Sequence, residues 1–133
     1  MKMVKVVIDT SAWIEAFRPG CAPAFADRVK RLVESGAVLM PGIVKVELLR
    51  GTKTRNEFSR LKDLLEGLTY LPLSESFWEE LADFSCTLFR KGVTVPLVDT
   101  IIALTAIQND AALLHRDRHF DMIAAATGLT LFQ

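Results

Sequence analysis

The sequence predicts an α/β fold, a parallel sheet with helices over both faces, and three observations predict it. Short apolar runs alternate along the 133 residues with longer segments of helical period. Glycine, proline and helix-capping residues punctuate nearly every change of period. Strands separated by helical crossovers pair in parallel, and right-handed crossovers lay those helices over both faces. Half of the residues are hydrophobic, enough for one continuous core, so residues 1–133 read as a single domain.

Each element follows from its residues. Val4 to Ile8 is an almost unbroken apolar run, as a strand buried on both faces requires, and Asp9-Thr10-Ser11 then offers a helix cap. A short helix through Trp13 and Phe17 stops at Pro19-Gly20. Phe25, Val29, Leu32 and Val33 recur at helical spacing between Ala22 and Ser35, and Gly36 supplies a left-handed stop. Val38 to Met40 forms a second strand. Pro41-Gly42 opens a helix containing Val44, Glu47 and Leu48, broken at Gly51 before another from Thr54 to Glu66 with Phe58, Leu61, Leu64 and Leu65 on one face. A brief strand at Thr69 to Leu71 ends at Pro72. The longest helix runs from about Ser74 to Lys91, with Phe77, Leu81, Phe84 and Leu88 as its stripe, Ser76-x-x-Glu79 as a capping box and Gly92 as its end. Pro96 to Asp99 enters an apolar helix through Ile107; Ala112 to Leu114 reads as a strand, Phe120 to Ala126 as a helix and Leu129 to Phe132 as a final strand.

Sixteen basic and sixteen acidic residues balance, so net charge argues for no polyanionic partner and only local patterns count. Cys21 and Cys86 lie outside any Cys-x-x-Cys pattern and read as reduced, buried thiols of a cytoplasmic protein. The apolar run within Met1 to Ile8 is too short for a signal sequence. No segment approaches the ~20 apolar residues of a membrane span, and a soluble protein is expected.

Four acids stand out: Val-Val-Ile-Asp9-Thr-Ser, Ile-Val-Lys-Val-Glu47-Leu-Leu-Arg-Gly, Pro-Leu-Val-Asp99-Thr-Ile-Ile-Ala and Leu-Leu-His-Arg-Asp117-Arg-His-Phe. Each sets a carboxylate among Val, Ile and Leu, where an unpaired charge costs several kcal/mol or shifts its pKa. Asp9 and Asp117 follow strands, while Glu47 and Asp99 belong to helices leaving the same edge, where ligands of open parallel sheets bind. Each also has a plain structural reading. Asp9, Thr10 or Ser11 caps a helix, Glu47 sits on a solvated helix face, Asp99 complements a helix dipole and Asp117 is a turn residue.

A divalent metal reconciles the four acids in one pocket. Hard carboxylate oxygens without sulfur favour Mg²⁺ or Mn²⁺, ions that bridge carboxylates to substrate phosphates. The alternation His115, Asp117, His119, Asp121 resembles a zinc set, but two histidines four apart share a face only on a helix and Arg116 and Arg118 intervene. Those histidines and arginines read instead as rim residues touching phosphates, or as solvated. Arg50, Lys53, Arg55, Arg60 and Lys62 face only Glu57 between Arg50 and Lys62, a basic patch suited to phosphate contacts or simply a solvated helix face.

These four motifs, in this order and spanning nearly the whole chain, resemble the PIN-domain nucleases, and at this length the VapC-type toxins of toxin–antitoxin pairs. The resemblance implies a PIN-like three-layer α/β/α sandwich and a Mg²⁺- or Mn²⁺-dependent endoribonuclease. It implies as partners RNA (a tRNA or rRNA), a cognate antitoxin whose tail covers the site, and a second copy in a homodimer. By motif match Asp9, Glu47, Asp99 and Asp117 become the catalytic, metal-binding acids, and Thr10 or Ser11 offers a hydroxyl contact. Arg50, Arg55 and Arg116 are the substrate-binding candidates. One departure is that many relatives carry a further acid two residues after the fourth motif, where this chain has His119.

The expected reaction is metal-assisted hydrolysis. Asp9 and Asp99 hold the main ion, Glu47 and Asp117 complete the cage directly or through waters, and in-line attack leaves a 5′-phosphate and a 3′-hydroxyl. Two other readings stay open. A phosphatase would show Asp-x-Asp where this chain has Ser11, and a phospho-receiver would show paired acids and a late lysine; a non-catalytic RNA- or protein-binding module would not need all four acids.

Overall fold

The computed structural model describes residues 4–133, leaving Met1–Met3, the start of the amino-terminal apolar run, outside the described residues. Its centre is an all-parallel sheet of four strands in the order β3-β2-β1-β4. Strand β1 (Val6–Ile8) pairs with β2 (Val38–Pro41) on one side and with β4 (Ala112–Leu114) on the other, and β3 (Thr69–Leu71) lies beyond β2. Val6, Val7 and Ile8 are fully buried, as a central strand covered on both faces must be.

Among the described residues seven helices complete the α/β/α sandwich: α1 (Thr10–Phe17), α2 (Pro23–Glu34), α3 (Gly42–Arg50), α4 (Arg55–Glu66), α5 (Phe77–Arg90), α6 (Leu97–Gln108) and α7 (Arg118–Ala126). The chain first steps outward from β1 to β2 to β3, then returns through α5 and α6 to place β4 on the other side of β1. Right-handed connections make that reversal a change of face, so α5 and α6 cover the face opposite α1 and α2. Helix α6 is the most enclosed, with Thr100 through Ala106 all buried. Its two buried threonines return their hydroxyls to carbonyls one turn back, Thr100 to Pro96 at 3.3 Å and Thr105 to Ile101 at 2.7 Å, so neither is left unpaired.

The expected boundaries agree to within a residue or two for most elements, and Gly36 and Gly92 take the left-handed φ expected of helix stops, +79° each. Four expectations need correction. Leu129 to Phe132 is not a full strand; it contributes one bridge, Leu131 to Leu113, beyond the short β4. Ser76 adopts a helical backbone and caps nothing; its hydroxyl reaches Glu80 at 3.2 Å rather than closing a box with Glu79. Helix α7 begins at Arg118, because the Asp117 side chain caps it two residues earlier than the apolar period alone suggests. Neither cysteine is buried: Cys21 is half-buried and Cys86 exposed, both as free thiols. Among the described residues no helix is long and apolar enough to cross a membrane.

Candidate metal centre

Strand order reverses between β1 and β4, and the carboxyl ends of those two strands meet there. The backbone N–H of Asp9 donates to the Leu114 carbonyl at 3.0 Å, joining the residues that leave both strands. Such a switch point is where an open parallel sheet leaves a crevice.

Asp9 is 3% exposed. Its carboxylate caps α1 by accepting the Ala12 N–H at 3.1 Å, and it accepts the Ser11 hydroxyl at 2.7 and 2.9 Å on its two oxygens. That same hydroxyl accepts the Arg116 N–H at 2.9 Å, so Ser11 fastens the loop after β4 to the acid after β1. The capping reading of Asp9 is met by this geometry, and the carboxylate that caps α1 is also the one buried at the end of β1. Burial pushes the Asp9 carboxyl above its ordinary value of 3.8, against the lowering effects of those hydrogen bonds and of nearby His115.

Asp99 sits in the first turn of α6, where the helix dipole favours an anion. Desolvation raises its pKa; the His119 hydrogen bond opposes the rise, and repulsion from Asp117 and Glu47 adds to it. Glu47, half-buried on α3, accepts the Thr10 hydroxyl at 2.6 Å, which ties α3 to the residue after Asp9. Asp117 caps α7 through the His119 N–H at 3.0 Å.

Asp99 and Asp117 converge with a third residue, His119, their ligand atoms all within 4.8 Å of one another. His119 Nδ1 lies 3.0 Å from Asp99 Oδ2 and 3.1 Å from Asp117 Oδ1. For His119 this departs from the expectation that the histidines line the rim, touching phosphates, or are solvated. The capping of α7 by Asp117 turns the next two residues into the helix, and that brings the imidazole back over the acids. The available signal was the two-residue spacing of His119 from the fourth acid. Glu47 adds its charge to this group, while Asp9 lies in the adjoining hydrogen-bonded cluster with Ser11. His115 is held apart, its Nδ1 accepting the Asp117 N–H at 3.0 Å and its Nε2 lying 3.3 Å from the exposed Asp121.

The basic candidates are all exposed, Arg116 in the loop after β4, Arg50 on α3 and Arg55 on α4. The Arg116 guanidinium stacks 4.1 Å over the Phe25 ring, which fixes its direction while leaving it exposed. Arg50 ends α3 exposed, and Arg55 lies 5.1 Å over Phe58 on α4. Lys62 is paired with Glu66 at 3.0 Å, which removes it from the free basic surface.

The donor set suits a divalent cation. Two carboxyls whose charged forms are penalised by burial, with further carboxylates repelling one of them, are relieved by nearby positive charge, and oxygen donors with one imidazole match a hard or borderline ion.

Comparison with known proteins agrees with this architecture. The PIN domain family model matches residues 6–126. The chain is 35% identical over 128 residues to VapC ribonuclease Mb1587 of Mycobacterium bovis, covering 93% of this chain and 95% of that one. It shows the same identity and coverage to ribonuclease VapC11 of Mycobacterium tuberculosis. Among solved structures, that of VapBC2 from Rickettsia felis bound to a DNA fragment from its promoter superposes with a TM-score of 0.78, at 20% identity and 98% coverage of each chain. With Asp99 and Asp117 meeting His119 beside the ends of a parallel sheet's strands and its sequence kinship running nearly end to end, the chain belongs to the PIN-domain family and, within it, to the VapC ribonucleases.

Proposed function

We propose that this chain is a divalent-metal-dependent endoribonuclease, the toxin of a toxin–antitoxin pair, with Asp9, Glu47, Asp99 and Asp117 as its metal-binding and catalytic acids. The observation that carries the reading is the meeting of Asp99, Asp117 and His119 where β1 and β4 end, beside the buried Asp9 and within the field of Glu47. Asp9, Glu47, Asp99 and Asp117 would hold a Mg²⁺ or Mn²⁺ ion there, which would supply positive charge to polarise a phosphate and activate a water.

The rest is the work of the chain's own residues. Thr10 and Ser11 orient the Glu47 and Asp9 carboxylates, so those acids are preset before substrate arrives. Arg116, steadied on Phe25, and the exposed Arg50 and Arg55 offer phosphate contacts that position an RNA backbone without reading its sequence. Water attacks phosphorus in line with the departing 3′ oxygen, which leaves a 5′-phosphate and a 3′-hydroxyl and needs no 2′-hydroxyl nucleophile.

Two protein partners fit the surface. An open groove of about 440 Å³ is lined by Ile14, Phe17, Leu48 and Leu61 and includes Glu47, so an apolar antitoxin segment lying in it reaches the site acids. Val46, Tyr70, Leu73 and Trp78 form a separate exposed apolar surface, which we assign to the homodimer.

The test is cleavage of structured RNA, a tRNA or rRNA fragment, by purified protein in EDTA, Mg²⁺ or Mn²⁺, with chemical identification of the new ends. Metal-dependent cuts bearing 5′-phosphates are expected. Equal cleavage in EDTA, or 2′,3′-cyclic phosphate ends, overturns the reading.

A further inference from the structure

We propose that His119 is itself a metal ligand through Nδ1, and that it biases this site toward first-row transition ions over Mg²⁺. The inference rests on the divalent-metal reading above and deepens it. Carboxylates alone do not distinguish these ions strongly, whereas an imidazole nitrogen does.

The geometry comes first. His119 Nδ1 stands 3.0 Å from Asp99 Oδ2 and 3.1 Å from Asp117 Oδ1. For bonds of about 2.1 Å, neighbouring ligands of an octahedral ion lie about 3.0 Å apart, so these spacings are those of adjacent ligands as well as of hydrogen bonds. The imidazole is anchored at its base, since its own backbone N–H donates to the same Asp117 oxygen at 3.0 Å. Its side chain is 30% exposed, so an ion can approach from solvent without disturbing the core.

His115 cannot take this role. Both its nitrogens are engaged, one by the Asp117 N–H and the other toward Asp121, and it packs against the Phe120 ring. The position two residues beyond the fourth acid therefore supplies nitrogen to the cluster rather than a third carboxylate. Exchanging a charged oxygen for a neutral nitrogen lowers the electrostatic attraction for Mg²⁺, which dehydrates reluctantly and prefers oxygen. Ions later in the divalent series gain from the nitrogen instead.

The test measures the metal alone. Mn²⁺ and Mg²⁺ are titrated calorimetrically into wild type, His119→Asp and His119→Gln, and the Mn²⁺ complexes are examined by pulsed electron paramagnetic resonance for coupling to imidazole nitrogen. Wild type is expected to show that coupling and to bind Mn²⁺ more tightly than Mg²⁺, with the preference reduced about tenfold or more in His119→Asp. Both variants are expected to lose the coupling. Mn²⁺ bound by wild type without nitrogen coupling, or a preference unchanged in His119→Asp, overturns the role of His119 while leaving the metal site intact. Failure of wild type to bind either ion instead overturns the metal-dependent reading itself. Should neither variant fold, His115→Asn decides the assignment: coupling retained there locates the nitrogen on His119, and coupling lost there refutes it.

Discussion

Replacing Asp99 by Asn removes one negative charge from a site where several have been brought together, while keeping the shape of the side chain and an oxygen that accepts from His119. Asp117 presents a ligand oxygen within 4.8 Å of that of Asp99. At this separation Coulomb's law gives about 3.5 kcal/mol of repulsion for an effective dielectric of about 20, and about 1 kcal/mol in bulk water. The Asp99 side chain is 15% exposed and that of Asp117 34%, so water screens part of the repulsion and a relief of about 1–2 kcal/mol follows. Weakening of the charged hydrogen bond to His119 takes back up to about 1 kcal/mol. A net gain of at most about 2 kcal/mol remains, so in EDTA the variant should melt higher than wild type by up to about 7 °C for a chain of this size. With metal the order reverses, because an ion present at about a hundred times its Kd adds about 2.7 kcal/mol to wild type and less to the variant.

The same physics sets the pH trend. Burial raises the folded pKa of Asp9 and Asp99 above 3.8, so between 3.8 and those folded values the native state binds more protons than the unfolded chain. These two groups therefore add stability as pH falls from neutral through their folded values, and the gain is complete near 3.8, where the unfolded chain protonates too. In Asp99→Asn the slope should shrink to the part contributed by Asp9. Calorimetric melts in EDTA and in Mn²⁺, from pH 7 downward, measure all of this. A variant that melts lower in EDTA and responds to Mn²⁺ as wild type does would refute the argument that these acids form one strained site.

Further outcomes are expected elsewhere in the site and on the surface. Asp9→Asn keeps a capping side chain for α1 and should fold, yet lose at least about a hundredfold in RNA cleavage, measured under single-turnover conditions with helix content checked by circular dichroism. Ser11→Ala leaves the buried Asp9 carboxylate and the Arg116 N–H each short of a partner and should cost about 1–3 kcal/mol in urea unfolding; a loss below about 0.5 kcal/mol would deny the clamp between β1 and β4. Reversing Arg55 and Arg60 to Glu should lower the salt dependence of RNA binding, with the logarithmic slope smaller by about 1.4 if both contact phosphates, and an unchanged slope would make that helix face merely solvated. Trp78→Glu places a charge in the exposed apolar surface with Tyr70 and Val46; light scattering should show wild type as a dimer and the variant as a monomer, and a monomeric wild type would refute the assignment of that surface.

Local chemistry was sufficient to read most of this molecule from its sequence. Period and punctuation depend on neighbours within a turn or two, so β1, β2, β3, β4 and the helices between them were legible, as were the left-handed stops at Gly36 and Gly92. The four acids were legible because a carboxylate amid Val, Ile and Leu is costly wherever it occurs. Contacts between distant residues were not, because one chain carries no record of which segments meet. Leu129 to Phe132 has a strand's composition, but the edge it meets on β4 accommodates a single bridge. Ser76 has a capping residue's chemistry, but its backbone was drawn into the helix. The tertiary structure alone decided that Ser11 joins Asp9 to the Arg116 backbone, and that Thr10 reaches across 37 residues to Glu47. It alone turned His119 inward between Asp99 and Asp117, since that direction depends on where Asp117 starts α7 and on how closely the first turn of α6 approaches it.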